Sequence, residues 1–213
     1  MIALIIITEG AALWLAFRLG QNSKSGKASL DDLTGLPNRR ALEKRLKREK
    51  SGHWVLLLLD LNEFKPVNDQ HGHGTGDELL KVVAGRLRAV GSDCPVYRLG
   101  GDEFVTIAGP YSTSEEAEHA GLELARDIAQ AIAEPITLGG GIVAEVTASI
   151  GIAEGVRSYA RLGDADAAMY LAKELYQGGN PPSAGILFRP GMIKKITPVE
   201  PTDRRRFRHA RRR

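Results

Sequence analysis

The segment HWVLLLLDL, residues 53–61, constrains the fold more than any other part of this sequence. It is continuously apolar from Trp54 to Leu59 and then presents one acid, Asp60, before Leu61. An apolar run without alternating polar residues is typical of a strand that is buried on both faces of a sheet. The sequence therefore predicts a central strand with a carboxylate at its C-terminal end.

Helix and strand patterns alternate around this strand. Capping and turn residues at 31–38 precede a charged helix that is predicted to begin near Asn38. The polar, glycine-broken stretch 62–77 leads into a helix with one apolar face, formed by Leu79, Leu80, Val83, Leu87 and Val90. A strand–turn–strand pattern follows, with its turn at Gly100–Glu103.

The second half of the chain continues this alternation. A helix is predicted to open with a capping box of Ser112 and Glu115 and to stop at Pro135. A hairpin is expected around Gly139–Gly141, because this glycine run lacks the Lys-Ser/Thr of a phosphate-binding loop. An amphipathic helix over 162–176 and a short final strand follow. The order β-α-β-β-α-β, with an additional helix and strand, predicts an α+β fold: a ferredoxin-like (split βαβ) palm with helices on one face of a central antiparallel sheet.

Charge is unevenly distributed along the 213 residues, whose net charge is +3. The last 13 residues carry seven arginines against Asp203, and the first 30 carry three basic residues against Glu9. Residues 31–200 therefore hold a net charge of −5, which disfavours a nucleic-acid-binding surface on the folded core. The single cysteine, Cys94, excludes an internal disulfide and a multi-cysteine zinc site.

The two ends of the chain differ from the domain between them. Residues 1–20 are mostly apolar, and we expect one membrane anchor helix there, the alternatives being a peripheral or a partner-binding helix. Basic residues follow this segment and would keep the domain cytoplasmic, tethered to the inner face of the cell membrane. Residues 21–30 are predicted to be a linker, 31–190 the domain, and 191–213 a basic, disordered tail, either solvated or in contact with anionic lipid.

The turn at Gly100–Glu103 has two interpretations. The residues suit a tight turn with solvated charges. They also suit a metal and phosphate site if the central strand pairs beside this hairpin, because Asp60 and Asp102 then reach the same edge of the sheet. Two carboxylates about 4 Å apart repel by roughly 4 kcal/mol at an effective dielectric near 20, so they need a shared proton or a divalent cation. Oxygen ligands without His or Cys indicate Mg²⁺ or Mn²⁺, and Gly100 and Gly101 leave room for a nucleotide.

Several separated motifs decide between these interpretations. The sequence resembles the GGDEF-domain diguanylate cyclases over about residues 31–180, and GGDEF at Gly100–Phe104 matches the signature of that family letter for letter. The other motifs occur in the order of the family: DDLTGLPNRR at 31–40, DLNEFKPVND at 60–69, GHGTGDELL at 72–80, ASIGIA at 148–153 and ADAAMYLAK at 165–173.

The resemblance implies a GGDEF, nucleotidyl-cyclase-like fold and the condensation of two GTP into cyclic di-GMP and two pyrophosphates. It implies that Asp60, Asp102 and the Leu61 carbonyl bind two divalent cations, Mg²⁺ or Mn²⁺, per active site. Glu103 would complete the site beside Gly100 and Gly101. Each site would hold one GTP, so the reaction would require two domains face to face in a homodimer.

The resemblance also implies the residues that bind GTP. Asn68 and Asp77 would bind guanine, since a carboxylate accepts hydrogen bonds from N1–H and the exocyclic amine together. Alone, Asp77 equally suits a helix N-cap. Lys65 and Lys173 would contact the phosphates, although both are ordinary surface lysines without the motifs. Phe64 either lines the nucleotide or packs, and the backbone N–H groups of residues 63–65 are expected to cradle phosphate.

The sequence departs from the family pattern at three places. Asn62 replaces an acid of the D-x-D segment. The stretch ELYQGGN after Lys173 is two residues longer than usual and has Gly179 where the family has an arginine. The R-x-x-D product site is replaced by GSDC at Gly91–Cys94, so we expect no strong product inhibition.

Three functional hypotheses remain. One is an active diguanylate cyclase, and a second is a catalytically weak or silent domain that acts as a GTP-binding or protein-interaction module. The third is a nucleic-acid binder through the basic tail, which only the arginines of Arg204–Arg213 support. His71 and His73 are expected to lie in a loop, with His73 packed, and not to bind metal.

Overall fold

The computed structural model describes residues 29–48, 51–91, 93–156, 158–177, 185–189 and 192–195. The predicted anchor, most of the linker and the arginine cluster of the tail lie outside these ranges. The elements, in chain order, are α1 Arg39–Leu46, β1 His53–Asn62, α2 Phe64–His71, α3 His73–Val90, β2 Val96–Gly100, β3 Glu103–Tyr111, α4 Ser114–Ala133, β4 Ile136–Thr137, β5 Val143–Ala144, β6 Thr147–Gly155, α5 Ser158–Gln177, β7 Gly185–Arg189 and β8 Met192–Lys195. None of the helices described is long and apolar enough to cross a bilayer.

Six strands form the central sheet in the order β2-β3-β1-β6-β7-β8. Neighbouring strands are antiparallel except β6 and β7, which are parallel and joined through α5. β1 is central, as its apolar run predicts, and pairs with β3 on one side and β6 on the other. The predicted α+β class with a central antiparallel sheet is confirmed. The strand β8, at the start of the predicted tail, was not anticipated.

Helices cover both faces of the sheet, so the expectation of helices on one face was wrong. Val55, Leu57 and Leu59 of β1 belong to the core cluster that includes α3 and α4. Leu56 and Leu58 belong to the opposite cluster, which includes α1 and α5. Successive side chains of a strand point to opposite faces, and β1 is apolar at each of these positions. Each face of β1 therefore needs its own helical layer.

Two local predictions are also corrected, and a third is confirmed. The stretch 62–77 was expected to be irregular, but it contains α2 and the first turn of α3. α2 has no buried residue and so lacks the apolar periodicity that reveals a helix. The N-cap of α4 is Thr113, whose side chain accepts from the Glu116 amide, one residue after the predicted Ser112 and Glu115. The predicted hairpin around Gly139–Gly141 is confirmed as the β4–β5 pair.

Candidate functional site

The hairpin tip and the end of β1 lie side by side at one edge of the sheet. Gly101 and Asp102 form the turn between β2 and β3, and Asp60 is directly opposite Glu103 in the β1–β3 pair. The Leu61 amide donates to the Asp102 carbonyl oxygen at 3.3 Å. Residues directly opposite each other in an antiparallel pair point to the same face. The Asp60 and Glu103 side chains therefore share a face, and the Asp102 backbone adjoins them.

The two glycines of the tip adopt backbone conformations that favour glycine. Their φ values are 139° at Gly100 and 56° at Gly101, and side chains added there would meet no atom within 4 Å. These two glycines are therefore favoured by their backbone conformation and not by a lack of space for a side chain. The open space above them is where the sequence predicts the nucleotide. Phe104, the last residue of the signature, is fully buried in the core and is structural.

Asp60 is buried and paired with a lysine. Asp60 is 6% exposed, and Lys173 Nζ lies 2.5 Å from Asp60 Oδ1. Lys173 comes from α5, which packs on the face of the sheet that Asp60 shares. A buried carboxylate requires a compensating charge, and this ammonium provides it. The predicted phosphate ligand and the predicted metal ligand are therefore direct neighbours.

The site residues suit a divalent cation by their donor chemistry. No group of three or more His, Cys, Asp or Glu side chains in the described ranges is arranged to hold a metal ion. Mg²⁺ is usually held by one or two carboxylates, with water and substrate phosphate completing the octahedron. Asp60, Asp102 and the Leu61 carbonyl offer that oxygen-only set, and Glu103, which is 8% exposed, adds a carboxylate beside it. These residues fit Mg²⁺ or Mn²⁺ bound together with a phosphorylated ligand.

Sequence reasoning missed Arg98, which holds the hairpin tip. Its Nε and Nη2 atoms donate to the Gly101 carbonyl at 3.0 and 2.7 Å, and Nη1 donates to Asp31 Oδ1 at 2.8 Å. The same Asp31 oxygen accepts from the Thr34 amide and hydroxyl at 2.9 and 2.6 Å. Burial acts to raise the pKa of Asp31, but the bonds from Thr34 and Arg98 outweigh it, and this pKa is lowered. A signal was present, since a lone arginine stood in an apolar strand next to the glycine pair.

The predicted guanine-binding residues come from adjoining helices. Asn68 lies in α2, and Asp77 lies in α3 directly after Gly76. A β-carbon at Gly76 would overlap Asn68 Oδ1, so the Asn68 amide packs directly against the Gly76 backbone. Asp77 is exposed and lies inside α3, which begins at His73. The alternative of Asp77 as a helix N-cap was therefore wrong, and its carboxylate is accessible to a ligand.

The start of α2 is the segment where the sequence predicts a phosphate cradle. Glu63 has φ 64°, the left-handed conformation, and is the only residue other than glycine with positive φ in the described part of the chain. It makes no side-chain cap to α2. The first N–H groups of a helix have no partner within the helix, and Pro66 lacks one, so Phe64 and Lys65 supply the donors. Lys65 is exposed, whereas Phe64 packs partly against the core.

The two histidines near this cradle were expected to lie in a loop, with His73 packed. Instead His71 ends α2 and His73 begins α3, with only Gly72 between them, and both side chains are exposed. The loop prediction was wrong because the glycines that suggested it mark a helix junction.

Burial raises the pKa of the Cys94 thiol, with Asp93 adding to the effect, which suits a residue without a reactive role.

The sheet and its acidic edge together define a class of protein, the α+β palm of the nucleotidyl-cyclase-like type. The family model described as diguanylate cyclase, GGDEF domain, matches residues 28–179. The chain belongs to this GGDEF family, and the resemblance noted from its motifs is confirmed.

Curated relatives and solved structures are similar over most of this chain. The diguanylate cyclase TpbB of Pseudomonas aeruginosa is 36% identical over 177 residues, which are 78% of this chain and 40% of TpbB. The signaling protein YkoW of Bacillus subtilis is 42% identical over 159 residues, which are 69% of this chain and 19% of YkoW. The chain thus spans less than half the length of either relative.

Two solved GGDEF domains superpose on this chain. That of TpbB has a TM-score of 0.65 and 33% identity, covering 75% of this chain and 94% of the solved one. That of DgcB from Caulobacter crescentus, solved in complex with c-di-GMP, has a TM-score of 0.60 and 26% identity, covering 78% and 97%.

Proposed function

We propose that this chain is a diguanylate cyclase that condenses two GTP into cyclic di-GMP and two pyrophosphates. The observation that carries the proposal is the buried Asp60 carboxylate, which lies beside the GGDEF turn and is paired with Lys173. In each of two equivalent steps, the 3′-oxygen of one GTP bonds to the α-phosphorus of the other. The bond from that phosphorus to the bridging oxygen breaks, pyrophosphate leaves, and the 3′-hydroxyl proton is lost to a base.

Each of the acidic and basic residues at this edge of the sheet has its own role in the proposed reaction. Asp60, Asp102 and the Leu61 carbonyl would hold two Mg²⁺ or Mn²⁺ ions, which supply an acidified 3′-hydroxyl and neutralise phosphate charge. Glu103 shares a face with Asp60 and lies near the reacting hydroxyl. Lys173 pairs with Asp60 in the absence of cations. With cations bound to Asp60, the Lys173 ammonium would be available to pair with the phosphates instead.

Recognition of GTP occurs at the α2–α3 junction. Asp77 accepts from N1–H and the exocyclic amine of guanine, which adenine does not offer, and Asn68 lies next to it across Gly76. The N–H groups of Phe64 and Lys65 and the Lys65 ammonium bind phosphate. Each domain then presents one GTP, so two domains must face each other as a homodimer.

We also propose that the product exerts no strong feedback at the turn between α3 and β2. Gly91 and Cys94 are joined there by a backbone hydrogen bond of 2.8 Å, and neither position carries the charges of the R-x-x-D site. A dianionic ligand therefore finds no arginine at this turn.

The test is to incubate the full chain with Mg²⁺ and labelled GTP and to separate the products. We expect cyclic di-GMP and pyrophosphate, no reaction with ATP, and no loss of rate when micromolar product is added. Asp102→Asn, with an unchanged circular dichroism spectrum, is expected to lose at least about 100-fold in rate, the scale of losing one charge-stabilising group. Binding of GTP without turnover in the unmodified chain would instead indicate the silent, GTP-binding alternative.

A further inference from the structure

Polar side chains near the end of β1 form two sets of hydrogen bonds, one within the sheet edge and one with α5. Ser149 Oγ donates to Asn62 Oδ1 at 2.9 Å, and Asn62 Nδ2 donates to Thr147 Oγ1 at 3.0 Å. Separately, the hydroxyl of Tyr176, in the last turn of α5, donates to Glu63 Oε1 at 2.8 Å. Two of these residues, Asn62 and Tyr176, lie in segments that depart from the family pattern.

The Glu63 carboxylate sets the direction of its hydrogen bond with Tyr176. An ionised carboxylate only accepts, so the single hydroxyl proton of Tyr176 must point to Glu63.

Tyr176 donates to the residue that sets the geometry of the predicted phosphate cradle. Glu63 has the left-handed backbone conformation that directs the chain from β1 into α2. The Glu63 side chain does not cap α2. It accepts instead a hydrogen bond from Tyr176 in the C-terminal turn of α5, 113 residues away in the sequence. The N–H groups of Phe64 and Lys65 follow directly.

We propose that Tyr176 is a positioning residue that acts through Glu63 to hold the first turn of α2 in the conformation that binds the GTP phosphates. This inference rests on the proposed function, since it takes the start of α2 as the phosphate cradle. It assigns to this chain a contact between α5 and the start of α2, made by Tyr176 and Glu63, that orders the cradle.

The test compares Tyr176→Phe with Tyr170→Phe in the full chain. Tyr170 lies on the same helix, is 56% exposed and precedes Glu174 by one helical turn, so the control removes a like hydroxyl next to a glutamate but away from the cradle. Binding of a non-hydrolysable GTP analogue with Mg²⁺ is measured by calorimetry, and KM and kcat are measured for GTP. We expect Tyr176→Phe to weaken analogue binding and raise KM about fivefold, the factor for one net hydrogen bond, with kcat and Tm little changed. The control variant should match the unmodified chain.

The outcomes separate this inference from the proposed function. Weakened analogue binding in Tyr176→Phe supports the inference even if no cyclic product forms, in which case only the proposed function fails. Unchanged binding and KM in an active Tyr176→Phe enzyme overturns the inference and leaves the function standing. Absence of analogue binding by the unmodified chain overturns both.

Discussion

Arg98 shows how a single residue positions the GGDEF turn. The residue is 8% exposed. Its guanidinium donates two hydrogen bonds to the Gly101 carbonyl and a third to the Asp31 carboxylate. Lysine has no planar fork and could not make this bidentate contact while also reaching Asp31. The turn that precedes α1 is thereby connected to the turn that carries Asp102.

At this scale we predict that Asp31→Asn lowers the free energy of unfolding by about 2 kcal/mol at pH 7, the usual value of a hydrogen bond to a charged group. The substitution keeps an oxygen for Thr34 but leaves the buried Arg98 without its counter-ion. Urea unfolding of both proteins, followed by circular dichroism, measures the difference.

The pH dependence of that difference follows from the lowered pKa of Asp31. A carboxyl group whose native pKa is below its unfolded value of about 3.9 stabilises the fold fully above that pH. The contribution is lost as the pH falls from there through the native pKa. The gap between the unmodified chain and Asp31→Asn should therefore narrow below about pH 4, since other carboxylates affect both proteins equally. A gap that stays constant to pH 3 would contradict this assignment.

Among the elements, α5 is placed by a glycine in the strand below it. A β-carbon at Gly151 of β6 would overlap the Ala165 carbonyl and the Met169 amide of α5. These are backbone atoms, which cannot turn aside as a flexible side chain can. Gly151 therefore sets how closely α5 lies on the sheet, and with it the reach of Lys173 to Asp60.

We predict that Gly151→Ala lowers the free energy of unfolding by at least about 2 kcal/mol, as overpacking of a close contact does. Gly163→Ala is the matched control, because Gly163 lies in α5 with no atom within 4 Å of an added β-carbon. The control should stabilise by about 0.5–1 kcal/mol through helix propensity. Equal effects of the two substitutions in thermal unfolding would show that the spacing of α5 is not set at Gly151.

For the whole molecule, the proposed reaction needs two domains. One acidic edge holds one GTP in the proposed mechanism, and cyclic di-GMP contains two phosphodiester bonds. We predict that the rate of product formation per mole of protein rises with protein concentration. Added Asp102→Asn should lower the yield of cyclic product, because mixed dimers complete at most one bond. A rate per mole that is constant over a thousand-fold dilution and unaffected by the variant would contradict the homodimer.

Much of this arrangement follows from local sequence patterns. The central position of β1 and the place of Asp60 near its end follow from one apolar run, and the hairpin with Asp102 at its tip follows from two glycines between strands. Such signals are local, because burial on a strand or helix repeats with a fixed period. An apolar run buried on both faces also requires a helical layer on each face of the sheet. The order of helices and strands along the chain did not reveal this, and it led to the expectation of helices on one face.

The contacts between these elements required the tertiary structure. Lys173 meets Asp60 and Tyr176 meets Glu63, each across 113 residues, and Arg98 meets Asp31 across 67. Side-chain hydrogen bonds of this kind leave no periodic trace, because they depend on sheet register and helix spacing. The sequence by itself determined the core strand and the acids near its edge. Only the fold decided which lysine, arginine and tyrosine reach that edge, since that is fixed by the packing of α5 and the β1–β3 register.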